Sequence, residues 1–328
     1  MEQPTFHEKN IPLAVSQIRA DGQVPTTSEQ FVGINYRVFK VDFSDNESWA
    51  IRVPLVSNLS RKDWPQSFLS YMVDNEAQIL KELEEKGFEW APRYCGHDST
   101  FDNSIGSPFI AVTWLSGNYL EWTEESPQQP LRNKILEQLA EIHISLIECT
   151  KYTGEASATD HFKRIIENKV TRIRSGKLPE LTEQDVSAQM DLLLTVLLPE
   201  LEAAPFAVTH TGFGTHNIIM DKPGVISGVV SWAFAEKRPL QYAAGFPEIL
   251  LLRHVDQPPS EILRSDRENY IAALRSRNNS EIVETMISIL SAEDVEFNTM
   301  YLESIVSKSR HREMADAGWG DAPAVRGD

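Results

Sequence analysis

Cysteine and positive charge are both scarce in this chain of 328 residues. The two cysteines, Cys95 and Cys149, are too few for a disulfide framework, and their spacing fits no metal-ligand motif. Lysine and arginine together number 31, against 48 aspartates and glutamates, and the formal net charge is −17. Because no basic stripe offsets this acidity, the chain is a poor match for nucleic acid or for an anionic lipid surface. We therefore expect neither nucleic-acid nor membrane partners.

Extended apolar segments are missing as well. No segment approaches the ~20 apolar residues that a transmembrane helix needs. The first residues show neither the basic cluster nor the apolar region of a signal peptide. With 41% hydrophobic and 24% charged residues, the composition is that of an ordinary globular protein. We expect a cytoplasmic protein of one or two domains, with both cysteines reduced.

Periodicity divides the chain into a strand-rich part and a helix-rich part. Residues 1–28 are polar around a short amphipathic piece and predict an N-terminal extension that packs on the first domain. Period-two alternation then predicts strands, and apolar spacing predicts a helix of about twenty residues from Ser67. The strands are expected at 31–33, 36–43, 49–54, 92–96 and 107–115.

After a change of composition at Gly117, apolar residues follow helical spacing over most of the remaining chain. His143 lies on the apolar face of the first of these helices, and we interpret it as a structural residue. Residues 315–328 contain several glycines and predict a disordered tail. The helices are expected at about 131–149, 161–174, 183–201, 260–277 and 281–308.

The stretch that organises these elements begins with the loop HTGFGTHN, which runs from His210 to Asn217. A short apolar strand, a Lys-Pro-Gly turn and a second apolar strand ending in Ser231-Trp232 follow it. This is the order of a catalytic loop and a metal-binding hairpin. It resembles the aminoglycoside phosphotransferase and choline-kinase-like family of small-molecule kinases, especially its fungal members. In that family the loop reads H-x-D-x-x-x-x-N, and the second strand ends in a sequence similar to I-D-W-E.

The resemblance covers about residues 29–308 and implies an α+β, two-lobed, protein-kinase-like fold. It implies an N-lobe built on an antiparallel β-sheet at residues 29–116 and a mainly helical C-lobe at 117–314. The ligand site of such a fold is expected in the inter-lobe cleft.

The sequence departs from the family where the carboxylates belong. His210 and Asn217 have the family spacing, but Gly212 occupies the position of the loop aspartate. Ser231 stands where the metal-binding aspartate belongs, and Ala233 where an acidic residue often follows. A general base is worth about 10²–10⁴ in rate, and a serine hydroxyl is a poor ligand for a hard cation. We expect no metal site and no cofactor, with ATP and Mg²⁺ only if some phosphotransferase activity remains.

The resemblance also implies positions for a nucleotide. Gly33 would lie in the loop over the phosphates, although an ordinary hairpin turn explains it equally well. Arg52 stands in place of the third-strand lysine, and Glu76 in place of its helical partner. Alone, the two residues would be a solvent-facing cation and a surface carboxylate. Trp114 ends the strand that resembles the hinge, where backbone groups would meet an adenine.

The loop histidines remain as candidates for proton transfer, because histidine titrates near neutral pH. In the family, the histidine at the position of His210 binds backbone. A histidine at the position of His216 also occurs in relatives that have their carboxylates. Neither residue is therefore evidence of new chemistry by itself. With Gly212 and Asn217 they are our candidate catalytic positions.

Loss of charge at Gly212 and Ser231 would leave a less polar cavity, which suits a small organic molecule better than a triphosphate. Tyr119, Ser231 and Trp232 are the candidate substrate contacts. Three hypotheses remain open. The chain is a repurposed enzyme, for example of secondary metabolism, a non-catalytic pseudokinase with a binding or regulatory role, or an atypical small-molecule phosphotransferase.

Overall fold

A five-stranded antiparallel sheet forms the first part of the chain, with strand order β1-β2-β3-β5-β4. A long helix, α2 (Gln66–Glu85), connects β3 to β4. The strands are β1 (Thr26–Val32), β2 (Tyr36–Asp42), β3 (Ser48–Pro54), β4 (Tyr94–Asp98) and β5 (Phe109–Thr113). This computed structural model describes residues 5–19, 21–56, 64–154, 156–277 and 280–319.

The N-terminal extension completes the core on one face of this sheet. Alternate residues of β2 and β3, among them Phe39 and Ile51, are buried on that face. A short helix, α1 (Ile11–Ile18), covers it and contributes Ile11 and Val15 to the same apolar cluster. Burying an apolar side chain of this size stabilises the fold by about 1.5–3 kcal/mol. The extension is therefore an integral layer of the first unit, as its amphipathic pattern predicts.

A second, three-stranded sheet contains the hairpin that follows the candidate loop. Its strands are β6 (Asn118–Tyr119), β8 (Ile218–Lys222) and β9 (Val225–Val229). Gly228 lets β9 approach the segment before β4, because an added Cβ would lie 2.7 Å from the carbonyl oxygen of Trp90. The neighbouring amide of Val229 donates to that oxygen at 2.7 Å. The candidate loop and hairpin consequently belong with the N-terminal sheet.

The chain divides into two compact units, which differ from the predicted lobes. The first comprises Met1–Leu120 with His210–Ala235, and the second Glu121–Thr209 with Glu236–Asp328. The second unit contains the two-stranded sheet of β7 (Phe206–Thr209) and β10 (Glu236–Pro239). Its helices are α3 (Leu131–Thr150), α4 (Ala158–Arg174), α5 (Glu183–Val196), α6 (Leu240–Ala243), α7 (Glu261–Arg275), α8 (Glu281–Leu290), α9 (Val295–Val306) and α10 (Lys308–Asp316).

The antiparallel sheet, α2 and the helical second unit confirm the predicted fold class. The prediction of one continuous helix over residues 281–308 was wrong. These residues form α8 and α9, which a polar turn at 291–294 separates. The two helices have different packing partners: α8 packs on α3 and α7, whereas α9 packs on α4, α5 and α10. No helix in the described ranges is long and apolar enough to cross a bilayer.

The predicted tail begins within ordered structure. Helix α10 continues to Asp316, and Trp319 is buried against Tyr301 and His311. Residues 320–328 lie outside the described residues. The apolar contacts of Trp319 extend the core of the second unit into the segment that glycine content marked as disordered.

A buried ion pair anchors the start of the second unit. Arg132 on α3 and Asp266 on α7 are 5% and 2% exposed. They form two parallel hydrogen bonds, Nε to Oδ1 at 2.6 Å and Nη2 to Oδ2 at 2.5 Å. Arg132 Nη1 also donates to the carbonyl of Thr123 at 2.8 Å, and the guanidinium lies 4.0 Å from the ring centre of Trp122. The charge is therefore fully surrounded by partners.

Replacing Arg132 by methionine should lower the free energy of unfolding by about 3–5 kcal/mol, because Asp266 would be left as a buried, unpaired carboxylate. Urea unfolding followed by tryptophan fluorescence measures the change. The double variant Arg132→Met/Asp266→Leu should regain much of the loss. Arg174→Met, which breaks the exposed pair with Glu183, should cost less than about 1 kcal/mol. A double variant as unstable as the single one would contradict the charge explanation.

His143 has the structural role that its position predicts. Its Nε2 lies 2.7 Å from the carbonyl oxygen of Ala243, and its Nδ1 lies 2.7 Å from the hydroxyl of Tyr270. Because a carbonyl only accepts, Nε2 carries the proton and Nδ1 accepts from the phenol. Burial lowers the pKa of His143 to about 4. The ring is therefore neutral in the folded protein over the physiological range.

Acidification should destabilise the protein through His143. Below its ordinary pKa of about 6.5 the unfolded chain takes up a proton that the folded chain does not, so stability present above pH ~6.5 is lost towards pH 4. The shift corresponds to roughly 3 kcal/mol. Urea titrations between pH 7 and pH 4 should show a shallower pH slope for His143→Gln than for the wild type. An unchanged slope in His143→Gln would contradict this account.

Candidate functional site

His210, the first loop residue, is a structural bridge. It is 4% exposed, and its Nε2 lies 2.8 Å from the carbonyl oxygen of Val230 at the end of β9. Its ring packs edge-to-face on Trp232, with ring centres 4.5 Å apart. Burial lowers its pKa to about 4. A neutral, buried imidazole whose N–H donates to backbone holds the loop against the hairpin and is poorly placed to take a proton from a ligand.

Asn217, the last loop residue, also binds backbone. Its side-chain Nδ2 donates to the carbonyl of Gly212 at 2.8 Å, across the width of the loop. Its backbone amide donates to Gly214 at 3.0 Å, and its carbonyl accepts from the Val230 amide at 2.8 Å. Asn217 is buried. The family spacing thus preserves the shape of the loop.

The remaining loop positions offer few functional groups. Gly212 is half-buried and contributes no side chain where the family has its aspartate. Thr211 is exposed and has a φ of 55°, and its hydroxyl donates to the carbonyl of Phe234 at 2.9 Å. His216 is exposed in the short 3-10 turn before β8. Of the four candidate catalytic positions, only His216 presents a titratable group to solvent.

The predicted pair of Arg52 and Glu76 is confirmed. Arg52 Nε on β3 lies 3.3 Å from Glu76 Oε1 on α2, and the two residues are 6% and 1% exposed. The alternative, in which each was an ordinary surface charge, is therefore wrong. Glu76 Oε1 also accepts from the Trp232 backbone amide at 3.1 Å. The glutamate thus joins α2 to the hairpin as well as to the sheet.

Ser231 and Tyr36 occupy the rest of the surroundings of Arg52. Arg52 Nη1 donates to Ser231 Oγ at 3.2 Å. The guanidinium carbon lies 4.4 Å from the ring centre of Tyr36, so one face of the cation is covered. Burial and the charge of Glu76 raise the pKa of Tyr36 well above its usual value, which keeps the phenol neutral. Arg52, which the family resemblance places beside a phosphate, thus contacts side chains of this protein: Glu76, Ser231 and Tyr36.

Ser231 has a left-handed backbone, with φ 72° and ψ 59°. Outside glycine this region is populated mainly by asparagine and aspartate. The backbone at Ser231 is therefore one that an aspartate also adopts, but the side chain at this position is a hydroxyl and not a carboxylate.

Two contributors to the site carry no functional signal in the sequence. Asn75 donates to the carbonyls of Ala233 and Ala235 at 3.0 and 3.1 Å, which fastens the segment after Ser231 onto α2. Tyr36 packs with Leu69 and Met72 of α2 against Ala233. Both residues look like ordinary members of a helix or strand until the long-range pairing is known.

Trp232 differs from its expected role as a substrate contact. It is 1% exposed, it donates from Nε1 to the Val229 carbonyl at 2.8 Å, and its ring meets Phe88 edge-to-face. The indole fills the core beneath the hairpin, because the left-handed turn at Ser231 directs the chain inward. It offers no face to a ligand.

The other predicted contacts are scattered over the first unit. The Gly33 amide donates to the Tyr36 carbonyl at 2.8 Å, so this glycine closes the turn between β1 and β2, and its contact with a phosphate stays a prediction. Trp114 is half-buried and stacks on Phe31 at 5.9 Å, ring centre to ring centre. Tyr119 is 60% exposed on β6, the strand that lies beside the 3-10 turn carrying His216.

The donor set fits Mg²⁺ poorly. Asn217 and Ser231 are both neutral, and magnesium in proteins favours carboxylates. Ser231 Oγ is also 3.2 Å from the Arg52 guanidinium, which repels a dication. Among the described residues no group of three or more His, Cys, Asp or Glu side chains is arranged to hold a metal ion. The residues present do not match the Mg²⁺-nucleotide that the family resemblance implies.

Comparisons with known proteins agree on the fold. A structure of a putative aminoglycoside phosphotransferase from Ralstonia eutropha has 14% identity and a TM-score of 0.59, with 98% of this chain and 93% of that chain covered. The gentamicin complex of APH(2")-IIa has 14% identity and a TM-score of 0.55, with 96% and 95% covered. Its ternary complex with streptomycin and ATP has 11% identity and a TM-score of 0.52, with 89% and 90% covered.

At these identities the solved structures show the fold alone, and no curated protein matches the chain significantly. A family model adds sequence evidence. It is described as the phosphotransferase enzyme family and matches residues 45–242, more than half of the chain. The match includes β3 with Arg52, α2 with Glu76, and the whole candidate loop and hairpin. On this match the chain belongs to the phosphotransferase enzyme family.

Proposed function

We propose that this family member no longer transfers phosphoryl groups from Mg²⁺-ATP and that the surface at its former catalytic loop binds a small organic molecule. The observation that carries the proposal is the contact of Arg52 with Ser231. In a working site the strand-end residue would be an anionic metal ligand. Here it is a hydroxyl that accepts a hydrogen bond from the site's own cation at 3.2 Å.

The chemistry of phosphoryl transfer explains why this contact supports the proposal. Catalysis of that reaction depends almost entirely on positioning and on neutralising phosphate charge with metal ions and cations. Arg52 is already paired with Glu76, stacked by Tyr36 and bonded to Ser231. Gly212 supplies no base. The pair with Glu76 also occurs in working kinases, but a triphosphate would have to displace Ser231 from Arg52 without gaining a metal-binding carboxylate.

The ligand class follows from the groups that stay accessible. Tyr119 is exposed on β6, and His216 is exposed on the turn next to that strand. An aromatic ring and an imidazole on neighbouring segments suit an uncharged or weakly acidic organic molecule with an apolar part. If the protein is a repurposed enzyme, His216 is the group that handles a proton. If it is a non-catalytic binding protein, replacement of His216 changes affinity alone.

A second candidate, an atypical phosphotransferase, is favoured by one observation, the intact pair of Arg52 and Glu76. Measurements of Mg²⁺-ATP binding and of ATP-dependent phosphorylation distinguish the two functions.

Wild-type protein should neither bind Mg²⁺-ATP in calorimetry nor phosphorylate aminoglycosides, choline or amino alcohols above background. The variant Gly212→Asp/Ser231→Asp restores both carboxylates and should gain ATP-dependent turnover, since a general base alone is worth about 10²–10⁴ in rate. The matched control Gly212→Asn/Ser231→Asn has the same shape without the charge and should gain nothing. Saturable turnover by the wild type at about 1–100 s⁻¹, as in ordinary kinases, would contradict the proposal.

Filling the loop should remove ligand binding without unfolding the protein. Gly212 does not have a positive φ, so Gly212→Leu should fold. In a thermal-shift screen of aromatic acids, alcohols and amines, a binder at a hundred times its Kd should stabilise the wild type by about 2.7 kcal/mol. Gly212→Leu should lose that shift, whereas Leu194→Ala, at a residue that is 71% exposed on α5, should keep it. Equal shifts in the two variants would locate the ligand elsewhere.

A further inference from the structure

Three polar side chains form a chain of contacts on β4 and α2, apart from the loop and hairpin. The hydroxyl of Tyr94 lies 2.6 Å from His97 Nδ1. On the other side of the imidazole ring, His97 Nε2 lies 3.3 Å from Asp74 Oδ1. A fourth group, the ammonium of Lys81, lies 4.4 Å from the centre of the Tyr94 ring. A phenol, an imidazole and a carboxylate thus follow one another in line.

A β-bulge brings the phenol and the imidazole together. Residues three apart on a regular strand point to opposite faces of the sheet. In β4, however, Tyr94 pairs with Val112, Gly96 with Ala111 and His97 with Ile110, so Cys95 is an extra residue. The extra residue restores the same face for Tyr94 and His97.

The bulge depends on a small residue at position 96. A Cβ added to Gly96 would lie 2.2 Å from Cγ2 of Ile18, in the helix that covers the opposite face. A side chain here would force either the bulge or α1 to move. The geometry of Tyr94 and His97 is therefore built into the packing of the first unit.

Helix α2 supplies the two charged partners from one of its faces. Asp74 and Lys81 are seven residues apart, which is two helical turns. One meets the imidazole and the other meets the phenol ring. The seven-residue spacing on α2 and the bulge on β4 thus place the carboxylate of Asp74 beside His97 and the ammonium of Lys81 beside Tyr94.

The order of the groups fixes the direction in which a proton moves. The carboxylate of Asp74 attracts the N–H of a neutral imidazole to Nε2, which leaves Nδ1 as an acceptor. The Tyr94 hydroxyl then donates to Nδ1. As the phenol loses its proton, Asp74 stabilises the imidazolium that forms, and the ammonium of Lys81 favours negative charge on the ring. These are the roles of nucleophile, base and orienting carboxylate in nucleophilic catalysis.

We propose that Tyr94 is an activated nucleophile that accepts an acyl group from an activated ester, independently of the function proposed for the loop. The Tyr94 oxygen attacks the ester carbonyl and forms a new C–O bond, while its proton passes to His97 Nδ1. The bond to the leaving alcohol breaks, and that oxygen departs with the electron pair. The product is an O-acyl tyrosine, with the released proton on His97. The reaction needs no oxidant, reductant or metal.

Access to the group is compatible with this chemistry. β4 is an edge strand of the sheet, and Tyr94 is half-buried. The side chains of His97 and Asp74 are 24% and 45% exposed. The chain also contains internal references, since Tyr71 and Tyr119 are 51% and 60% exposed. Within the described residues, neither of these two hydroxyls forms a hydrogen bond with a histidine.

The test is acetylation of the full-length protein by p-nitrophenyl acetate, with each tyrosine quantified by peptide mass spectrometry. Tyr94 should acetylate about 10²-fold faster than Tyr71 and Tyr119, the lower end of what a general base contributes, although it is the least exposed of the three. One equivalent of p-nitrophenolate should appear in the same phase. His97→Gln should reduce the Tyr94 rate to that of the reference tyrosines, while Tyr71 in the same sample is unchanged.

The role of Asp74 is one of positioning, because it acts through His97. Asp74→Asn should slow acetylation of Tyr94, and Asp74→Glu should recover most of the rate, which a purely structural contact would not do. Far-UV circular dichroism and urea unfolding report whether each variant is folded. Three results would overturn the proposal: a Tyr94 rate equal to that of Tyr71, a Tyr94 rate unaffected by His97→Gln, or acetyl groups found on Lys81 instead of Tyr94.

Discussion

The first unit depends on how a buried arginine is accommodated. A guanidinium that is 6% exposed needs an opposite charge and hydrogen-bond acceptors around it. Glu76 supplies the charge from α2, Ser231 supplies an oxygen from the hairpin, and Tyr36 covers one face from β2. The same carboxylate accepts from the Trp232 amide. Removing Arg52 would leave three separate elements without their common partner.

This arrangement also accounts for the serine at the end of β9. With a carboxylate at position 231, Arg52, Glu76 and that carboxylate would sum to one negative charge, which would need a further cation nearby. With Ser231 the arginine and the glutamate balance each other. The cluster is then electroneutral without a metal, which is the state that costs least to bury. A hydroxyl at position 231 and its contact with Arg52 are therefore both compatible with a cluster that is neutral without a metal.

Sequence reasoning was most successful where a periodic signal extends over many residues. The strands and α2 could be predicted because alternation and helical spacing are local properties, whereas the Arg52–Glu76 pair was expected only from the family resemblance. It failed at Trp232, which the left-handed turn at Ser231 sends into the core. It gave no indication of the extra residue at Cys95, which places His97 on the same face as Tyr94. Bulges and such turns follow from packing against distant segments, which no local pattern contains.

The loop and the hairpin contain motif residues of two kinds, those that shape the loop and those that carry charge in the family. His210 and Asn217 keep the family spacing, and both direct their side chains to backbone carbonyls of the loop and hairpin. Their contribution is to hold the loop in shape, and that contribution is independent of any reaction. The two positions whose family role is to carry charge, Gly212 and Ser231, are the ones that differ. The outline of a catalytic loop can therefore be kept while its charged positions differ, because the residues that shape the loop are not those that carry charge in the family.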